Sequence, residues 1–439
     1  MVLLQNFINI FSVPDLRRKL IFTLGILIVY RFGVHIPVIG VDVAALHQLF
    51  ESAKGLGSFF GYLDMFSGGA LKECTLFALG MQPYITSSIV MQMLGMTIPS
   101  LEQLLKEGEY GRKVINQYTR YLTFAVSIFH SLTYAMILER NGLVVEPGWS
   151  FRLLFILSLT VGSMFVMWLG EQISLFGIGN GSSVIIFAGI VSQFPDYVMK
   201  TWYQVSQGIL DPLIALFILA LFLAITAIIV FLERGERKIP VQYTRRIVGQ
   251  RVYGGQSTYI PFKLNTANVM PVIITGAVMS MPMFLVQMFS DRFALFKWLQ
   301  ENVFSPITIP YNVIEFILIV TFSFMYTALM YNPDELAENI KKSGGFIPGI
   351  RPGKHTAAFF YYILTRVGCV GALYLATLAV IPNFLMMVIT MPFYLSGTGL
   401  LIVVGVALEI ASQMEAYLIE HRYEGFLASG SRLKGRGGR

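Results

Sequence analysis

Ionisable side chains inside long apolar runs are the residues of this sequence with the greatest potential for chemistry, because a charge within a bilayer is costly and usually marks a proton relay or an ion-coupled site. His130 stands alone in the middle of one run, and Arg366 can extend its long side chain toward the membrane surface. Glu315, Glu409 and Glu415 fall near run ends. We interpret His130 as a hydrogen-bonded core histidine. The set contains no acid and base pair at the midplane of the kind that an ion-coupled transporter needs.

Motifs that would indicate catalysis are missing from the sequence. It has no G-x-x-x-x-G-K-[ST] phosphate loop, no H-E-x-x-H zinc helix and no G-x-S-x-G nucleophile elbow. The stretch GIGNGSS, residues 177–183, lacks the lysine of a phosphate site, and we expect it to cap a helix that begins near Ser182. Cys74 and Cys369 have neither disulfide nor metal-ligand spacing and are expected to be packing residues. The sequence therefore predicts no catalytic, cofactor-binding or metal site.

The elements that must position these residues are membrane helices. Of the 439 residues, 55% are hydrophobic and 13% are charged, and the mean hydropathy is +0.66. Soluble domains carry about 25% charged residues, and a run of about 20 apolar residues can cross a bilayer as a helix. Ten such runs occur, at residues 20–38, 74–96, 118–138, 153–169, 182–198, 212–232, 267–289, 308–330, 359–380 and 393–414. The chain is therefore predicted to be an all-α integral membrane protein.

Positive charges give the predicted orientation. The formal net charge is +7, and Arg17, Arg18 and Lys19 precede the first run. The other basic clusters fall in alternate loops and in the tail, which is typical of cytoplasmic segments. Both termini are therefore predicted to lie in the cytoplasm.

Two of the predicted cytoplasmic loops are long. Residues 233–265 indicate a hairpin around Gly254 and Gly255, and residues 332–353 begin with a helical charge pattern and end in a Gly/Pro turn. We expect no soluble domain beyond these loops. Their basic residues either only fix the topology or also bind an acidic partner such as ribosomal RNA or a motor protein.

One short helical pattern, residues 58–66, cannot cross a membrane. It would rise only about 14 Å as a helix, roughly half of the hydrocarbon thickness. It carries Tyr62 and Asp64 and is followed by the paired glycines Gly68 and Gly69. Because irregular backbone at membrane depth is tolerated only beside protein or a water-filled cavity, the segment implies a cavity.

The run at residues 74–96 has polar interruptions. Pro83 is expected to kink the helix and to free the carbonyl of Leu79, while Met81 and Ile85 share a face one turn apart. Hydroxyl groups stand on the same run at Thr86, Ser87 and Ser88. Taken alone, these features fit either ordinary helix packing or the wall of a cavity.

Six stretches together carry a resemblance to a known family. They are MFSGGAL (65–71), LFALGMQPYITSSIVMQML (76–94), GEQISLFGIGNGSSVIIFAGIV (170–191), RVYGGQSTYIPFKLN (251–265), IKKSGGFIPGIRPG (340–353) and PFYLSGTGLLIVV (392–404). With these motifs the sequence resembles the SecY family of protein-translocation channels. The likeness runs from the Arg17-Arg18-Lys19 segment to the basic tail and covers essentially the whole chain.

The resemblance implies ten transmembrane helices in two pseudo-symmetric five-helix halves around a central pore, with a short re-entrant plug helix. On this chain the N-terminal half is expected at residues 1–200, with the plug at 58–69, and the C-terminal half at 266–420. Residues 201–265 would hold the sixth helix and a basic loop, and residues 421–439 a basic cytoplasmic tail.

The resemblance also implies roles for individual residues. The pore ring is expected at Met81, where the family usually has isoleucine, and at Ile85, Ile186, Ile190, Ile273 and Ile402. The plug residues are expected to be Ser58, Phe59, Phe60, Tyr62, Leu63, Asp64, Met65, Phe66, Gly68 and Gly69. The lateral gate is expected to include Thr86, Ser87, Ser88, Gln92 and Asn268. Contacts with a motor or the ribosome are expected at Arg245, Arg246, Arg251 and Arg351.

The function implied is a protein-conducting channel in the bacterial cytoplasmic membrane. It would pass secretory polypeptides with signal sequences and release hydrophobic segments sideways into lipid. The chain has no nucleotide site, so the SecA ATPase or the ribosome is expected to drive it; the small subunits SecE and often SecG would complete it, and anionic phospholipid would surround it. The alternative from another class is a secondary transporter of a small solute, which would need a midplane ligand or ion site.

Overall fold

A computed structural model describes residues 13–52, 56–243, 246–248, 251–253, 257–290, 293–305, 308–388 and 397–433 of the chain. Its helices are α1 Pro14–Gly33, α2 Val43–Ser52, α3 Leu56–Ser67, α4 Gln82–Thr97, α5 Pro99–Lys106, α6 Glu109–Arg140, α7 Trp149–Phe176, α8 Gly181–Ser192, α9 Phe194–Ser206, α10 Pro212–Glu233, α11 Met270–Phe289, α12 Ala294–Asn302, α13 Ile309–Met330, α14 Pro333–Lys342, α15 Lys354–Val388 and α16 Gly397–Leu433. Its strands are β1 Glu236–Tyr243, β2 Arg246–Val248, β3 Arg251–Tyr253, β4 Ser257–Lys263 and β5 Gly345–Phe346.

The chain divides into two compact units. Unit 1 is drawn from residues 1–200, 283–301 and 406–439, and unit 2 from residues 201–282 and 302–405. In unit 1, α6 packs against α4 and α7, and α8 packs against α7 and α3. In unit 2, α13 packs along α15, and α14 packs against the start of α15. The division of the chain at residues 200, 265 and 420 stays a prediction.

Eight helical stretches in the described part of the chain are long and apolar enough to cross a membrane. They are Glu109–Arg140, Trp149–Phe176, Gly181–Ser206, Pro212–Glu233, Met270–Phe289, Ile309–Lys342, Lys354–Phe384 and Gly397–Glu420. The other two apolar runs correspond to α1, which carries several charged residues, and to α4, which has only 16 residues. Each of the ten predicted runs therefore overlaps a described helix.

The run at residues 74–96 is not one helix, contrary to the sequence prediction. Residues 74–76 lie beside the segment that follows α1, because the N–H of Val38 bonds to the Cys74 carbonyl and that of Leu76 to the Ile36 carbonyl, both at 2.9 Å. The helix begins only at Gln82. Pro83 therefore occupies the first turn, where its missing N–H costs nothing, and it does not kink the helix.

The run at residues 182–198 is also divided, because α8 ends at Ser192 and α9 begins at Phe194. Its predicted start is confirmed. Asn180 is the N-cap, and its Oδ1 accepts a hydrogen bond from the Ser182 N–H at 3.2 Å. The glycine-rich stretch before α8 is thus a helix cap.

The two long basic loops form one structure rather than two separate projections. Strand β1 pairs antiparallel with β4, from Glu236 opposite Lys263 to Gln242 opposite Ser257, and β5 pairs with the other edge of β1. The predicted hairpin is therefore present. Strand β2 pairs with β3, with Val248 opposite Arg251, so the chain reverses its direction between these two residues. The turn is therefore not at Gly254 and Gly255, where the sequence predicted it. Those two glycines lie outside the described residues.

A hydrophobic core joins this sheet to α14 and α15. Its buried residues are Ile239, Val241, Phe262, Ala337, Ile340, Ile347, Ala357, Phe360, Ile363, Leu364 and Val367. Residues about 100 positions apart along the chain thus share one core, which sequence reasoning did not predict. The expectation that the chain has no soluble domain beyond these loops stays a prediction. The alternating burial of β1 fits a sheet with one covered face.

Candidate functional site

The short helix predicted between the first two apolar runs exists as α3. Its 12 residues would extend about 18 Å, too short to cross a bilayer. Its C-terminal turns are buried in unit 1, including Leu63, Asp64, Met65 and Phe66. Ser58, Phe59, Phe60 and Tyr62 lie on the same helix, but their side chains lie outside the description.

Two glycines end α3 in backbone conformations that favour glycine. Gly68 has φ +71° and Gly69 has φ +92°. A Cβ atom at Gly68 would lie 2.8 Å from the Cα of Gly189, so the backbones of this turn and of α8 touch. These glycines therefore allow close packing as well as the turn.

Side chains from α1 and from the residue between α8 and α9 donate to the carbonyl groups at the end of α3. The Tyr30 hydroxyl donates to the Ser67 carbonyl at 3.0 Å, and Arg31 Nη1 donates to the Gly68 carbonyl at 2.9 Å. Gln193 Nε2 donates to the Asp64 carbonyl at 3.1 Å. The last carbonyls of a helix have no partner within it, and a cation is favourable there. These donors therefore hold the buried end of α3.

The donor Gln193 is itself positioned by Tyr197, whose hydroxyl donates to Gln193 Oε1. We call Tyr30, Arg31, Gln193 and Tyr197 the clasp. Sequence reasoning missed all four residues, because no local pattern pairs α1 with α8 and α9. The one available signal was the i, i+4 spacing of Gln193 and Tyr197 after an apolar run.

The side chain of Asp64 orders the turn that follows the clasp. Its Oδ1 accepts from the Lys72 N–H at 3.0 Å and from Ser67 Oγ at 3.3 Å. Further along, the Tyr134 hydroxyl of α6 donates to the Leu71 carbonyl at 3.0 Å. The loop from α3 toward α4 is thus tied to unit 1 over several residues.

Replacing Arg31 with methionine should loosen the end of α3, because the Gly68 carbonyl loses a charge-assisted donor worth about 1.5–3 kcal/mol. We expect a cysteine at Met65, which is buried, to react at least about five-fold faster with a membrane-impermeant thiol reagent in this variant. The rate is measured by mass spectrometry of the labelled peptide. Arg18→Met, an exposed arginine on the same helix, is the control. Equal labelling in both variants would contradict the role of Arg31.

The expected ring residues are distributed over both units. In unit 1, Met81, Ile186 and Ile190 are buried and Ile85 is half-buried. A Cβ atom at Gly170 of α7 would lie 3.1 Å from Met81 Cε and 3.6 Å from Ile185 Cδ1, so α7, α8 and the start of α4 meet near these residues.

In unit 2, the expected ring residues Ile273 and Ile402 are also buried. Ile273 lies on α11 and Ile402 on α16. Gly405 of α16 packs so closely against Val269, the residue before α11, that a Cβ atom at Gly405 would overlap the Val269 side chain. Burial by itself fits both a closed constriction and ordinary packing. The ring therefore stays a prediction.

The expected gate residues of α4 differ in environment. Thr86 and Ser87 are buried, and their hydroxyls donate to the carbonyls of residues 82 and 83 at 3.0 and 2.7 Å. Ser88 is half-buried, and Gln92 is exposed with its Nε2 3.4 Å from Ser88 Oγ. Asn268 stands before α11 with φ +50°. The gate stays a prediction.

The sheet β4–β1–β5 is predicted to lie in the cytoplasm, and we call it the cytoplasmic sheet. The basic residues of this sheet and of the segments beside it are solvent-exposed. They are Arg234, Arg237, Lys238, Lys263, Lys341, Lys342, Arg351 and Lys354. Among the described residues, no carboxylate forms an ion pair with Arg351, whose carbonyl accepts from Thr356 Oγ1 at 3.0 Å. Arg246 and Arg251 lie on the paired strands β2 and β3. Arg245 lies outside the described residues.

The ionisable residues of the apolar runs form no catalytic constellation in the described part of the chain. His130 is buried but not hydrogen-bonded to any described residue, contrary to the sequence interpretation; its ring stacks on Phe284 at 4.4 Å between centroids. Arg366 is exposed, with its guanidinium 4.2 Å from the centroid of the Tyr362 ring. The described residues include no group of three His, Cys, Asp or Glu side chains that could hold a metal ion.

Sequence reasoning did not predict one cluster of three buried polar side chains. Glu315 and Asn312 of α13 meet Asn383 of α15, whose Nδ2 donates to Asn312 Oδ1 at 2.9 Å and lies 3.3 Å from Glu315 Oε2. All three side chains are buried. They link the two helices near their shared end.

Comparison with known proteins decides the family. The SecY family profile matches residues 75–411. The protein translocase subunit SecY of Escherichia coli (strain K12) is 43% identical over 429 residues, covering 96% of each chain. The chain belongs to the SecY family.

Solved structures of the family share the fold. One is described as showing that the plug domain of the SecY protein stabilizes the closed state of the translocation channel and maintains a membrane seal. It is 18% identical, with a TM-score of 0.64 over 91% of this chain and 92% of that one. Another, Sec61 in the canine ribosome-channel complex from the endoplasmic reticulum, is 18% identical, with a TM-score of 0.59 over the same shares. The fold is therefore that of a SecY-type membrane protein.

Proposed function

We propose that this chain is the channel-forming subunit of a protein translocon. It passes secretory polypeptides across a membrane and releases sufficiently apolar segments sideways into lipid. The observation that carries the proposal is α3, a helix too short to span that is buried at its C-terminal end and held by the clasp. A transporter of a small solute would instead need a ligand or ion site near the midplane of the membrane.

The proposed constriction consists of Met81, Ile85, Ile186, Ile190, Ile273 and Ile402. A narrow ring of apolar side chains resists water and ions, because it offers an ion nothing that replaces its hydration. It also has no hydrogen-bonding groups that would hold a passing polypeptide of arbitrary sequence. The plug and the ring would together keep the resting channel closed.

The proposed energy source is a partner on the cytoplasmic side, either the SecA ATPase or the ribosome. The exposed cations of the cytoplasmic sheet and Arg351 suit an acidic surface. A family neighbour is known in a ribosome-channel complex. We further propose a bacterial cytoplasmic membrane location with both termini in the cytoplasm, SecE and SecG as companion subunits, and anionic lipid as the surrounding phase.

Reconstitution into vesicles with SecE tests this function. We expect a secretory preprotein to enter the vesicles only with both SecA and ATP, and to become resistant to added protease there. Small-solute uptake is measured on the same vesicles. Solute uptake without protein import would contradict the proposal and favour a transporter.

A further inference from the structure

A buried carboxylate lies where the cytoplasmic sheet joins the membrane helices of unit 2. Glu233 is the last residue of α10, and β1 begins three positions later. Its Oε2 accepts from Asn265 Nδ2 at 2.9 Å and from the Tyr374 hydroxyl of α15 at 2.7 Å. One carboxylate therefore connects α10, the end of the β1–β4 hairpin and α15.

Asn265 extends this connection to the start of α11. The Nδ2 group of Asn265 donates its second hydrogen to the Asn268 carbonyl at 2.9 Å. Asn268 has φ +50°, a strained conformation that a non-glycine residue keeps only where the surrounding structure imposes it. Asparagine tolerates it better than most residues. Asn265 therefore helps to set the path by which the chain enters α11.

Close backbone packing reinforces the same junction. A Cβ atom at Gly371 of α15 would lie 2.5 Å from the Leu264 carbonyl oxygen, and the Leu264 N–H bonds to the Gly235 carbonyl at 2.8 Å. Thr266 Oγ1 lies 2.9 Å from Thr327 Oγ1 of α13. The hairpin end thus contacts α10, α13 and α15, which leaves little room for it to slide.

The junction continues into both functional regions of unit 2. On one side is the sheet, whose core with α14 and α15 supports the exposed cations. On the other side is the first turn of α11, in which the N–H of Ile273 bonds to the Val269 carbonyl at 3.2 Å. Packed elements of this kind transmit displacement because cores deform little.

We propose that Glu233, Asn265 and Tyr374 are positioning residues that link partner binding on the cytoplasmic sheet to the start of α11 and so to Ile273. This inference rests on the proposed function, since it concerns how a motor would open the channel. The three residues bind neither motor nor preprotein. Their hydrogen bonds keep the hairpin and the entry to α11 moving as one body.

Tyr374→Phe, Glu233→Ala and Glu233→Gln test the link in the full channel, reconstituted with SecE. We expect SecA affinity to stay within about two-fold of the unmodified channel, while preprotein transport per bound SecA falls about five-fold or more in Tyr374→Phe and Glu233→Ala. Glu233→Gln keeps an oxygen that accepts both bonds, so it should retain at least about half of the transport. Tyr361→Phe, an exposed tyrosine of the same helix, is the control and should be unchanged.

A fluorophore on a cysteine at Met270 provides a second measurement. In the unmodified channel we expect SecA binding to change its emission, and in Tyr374→Phe we expect most of that change to be lost although SecA still binds. Should Glu233→Ala fail to fold, as judged by gel filtration, the Tyr374→Phe comparison still decides.

Unchanged transport and emission would overturn the link. A parallel loss of SecA affinity would also overturn it, because the junction would then only shape the docking surface. An unmodified channel without SecA-dependent transport would instead overturn the proposed function.

Discussion

Vesicles that carry the channel with Ile186 and Ile190 both changed to asparagine are expected to leak ions at rest. Both residues lie on α8 and are buried, so the change adds amide groups where the proposed constriction is apolar. Polar groups wet a narrow neck and give an ion partners that replace its hydration. We expect a resting conductance on the order of ten-fold or more above the unmodified channel, measured by single-channel recording in planar bilayers.

The same variant should also accept preproteins with weak signal sequences. A smaller free-energy difference between the closed and open states lets a poorer guest shift the equilibrium. The matched control is Ile218→Asn with Ile225→Asn on α10, two buried isoleucines outside the proposed ring. If the ring assignment is wrong, both pairs would lower abundance by loss of packing without raising the conductance of correctly folded channels.

Changing Arg351 to glutamate is expected to reduce SecA-driven transport by about ten-fold or more. Arg351 is exposed in the turn before α15, and no described carboxylate competes for it, so its charge is free to meet an acidic partner. Charge reversal places like charges against that partner. Transport is measured as the protease-protected preprotein per channel, and SecA affinity is measured separately.

Lys297→Glu on α12 is the control for the change in net charge, because that lysine is exposed on a helix of unit 1, whereas the cytoplasmic sheet belongs to unit 2. It should leave transport within about two-fold of normal, while resting conductance stays low in both variants. Normal transport by Arg351→Glu would mean that this arginine only helps to fix the topology.

Local sequence patterns predicted the features that are determined by residues close together along the chain. Apolar runs of bilayer length predicted the membrane helices, because a segment in lipid must pair its backbone N–H and carbonyl groups with one another by hydrogen bonds. The 58–66 segment was recognisable as too short to span, and the glycine-rich stretch 177–183 as a helix cap. Each of these inferences uses only residues within one element.

The features that sequence reasoning missed depend on contacts between distant segments. Pro83 fits a helix interior and a helix start equally well by spacing, and the extended pairing of residues 74–76 with the segment after α1 decides between them. The pairing of β1 with β5 and the donation from Arg31 to Gly68 likewise join residues with no shared local pattern. Sequence reasoning predicts a hydrogen-bonded His130, whereas the ring of this residue stacks on Phe284, which is more than 150 positions away along the chain.

The central claim, that a polypeptide passes through this chain, is tested most directly by disulfide crosslinking of a preprotein stalled during import. Single cysteines are placed at Ile186 and Ile402 of the proposed ring and at Leu219, an exposed position on α10. We predict that a cysteine in the stalled segment crosslinks to both ring positions and not to residue 219. Crosslinking to residue 219 with none at residues 186 and 402 would contradict the account.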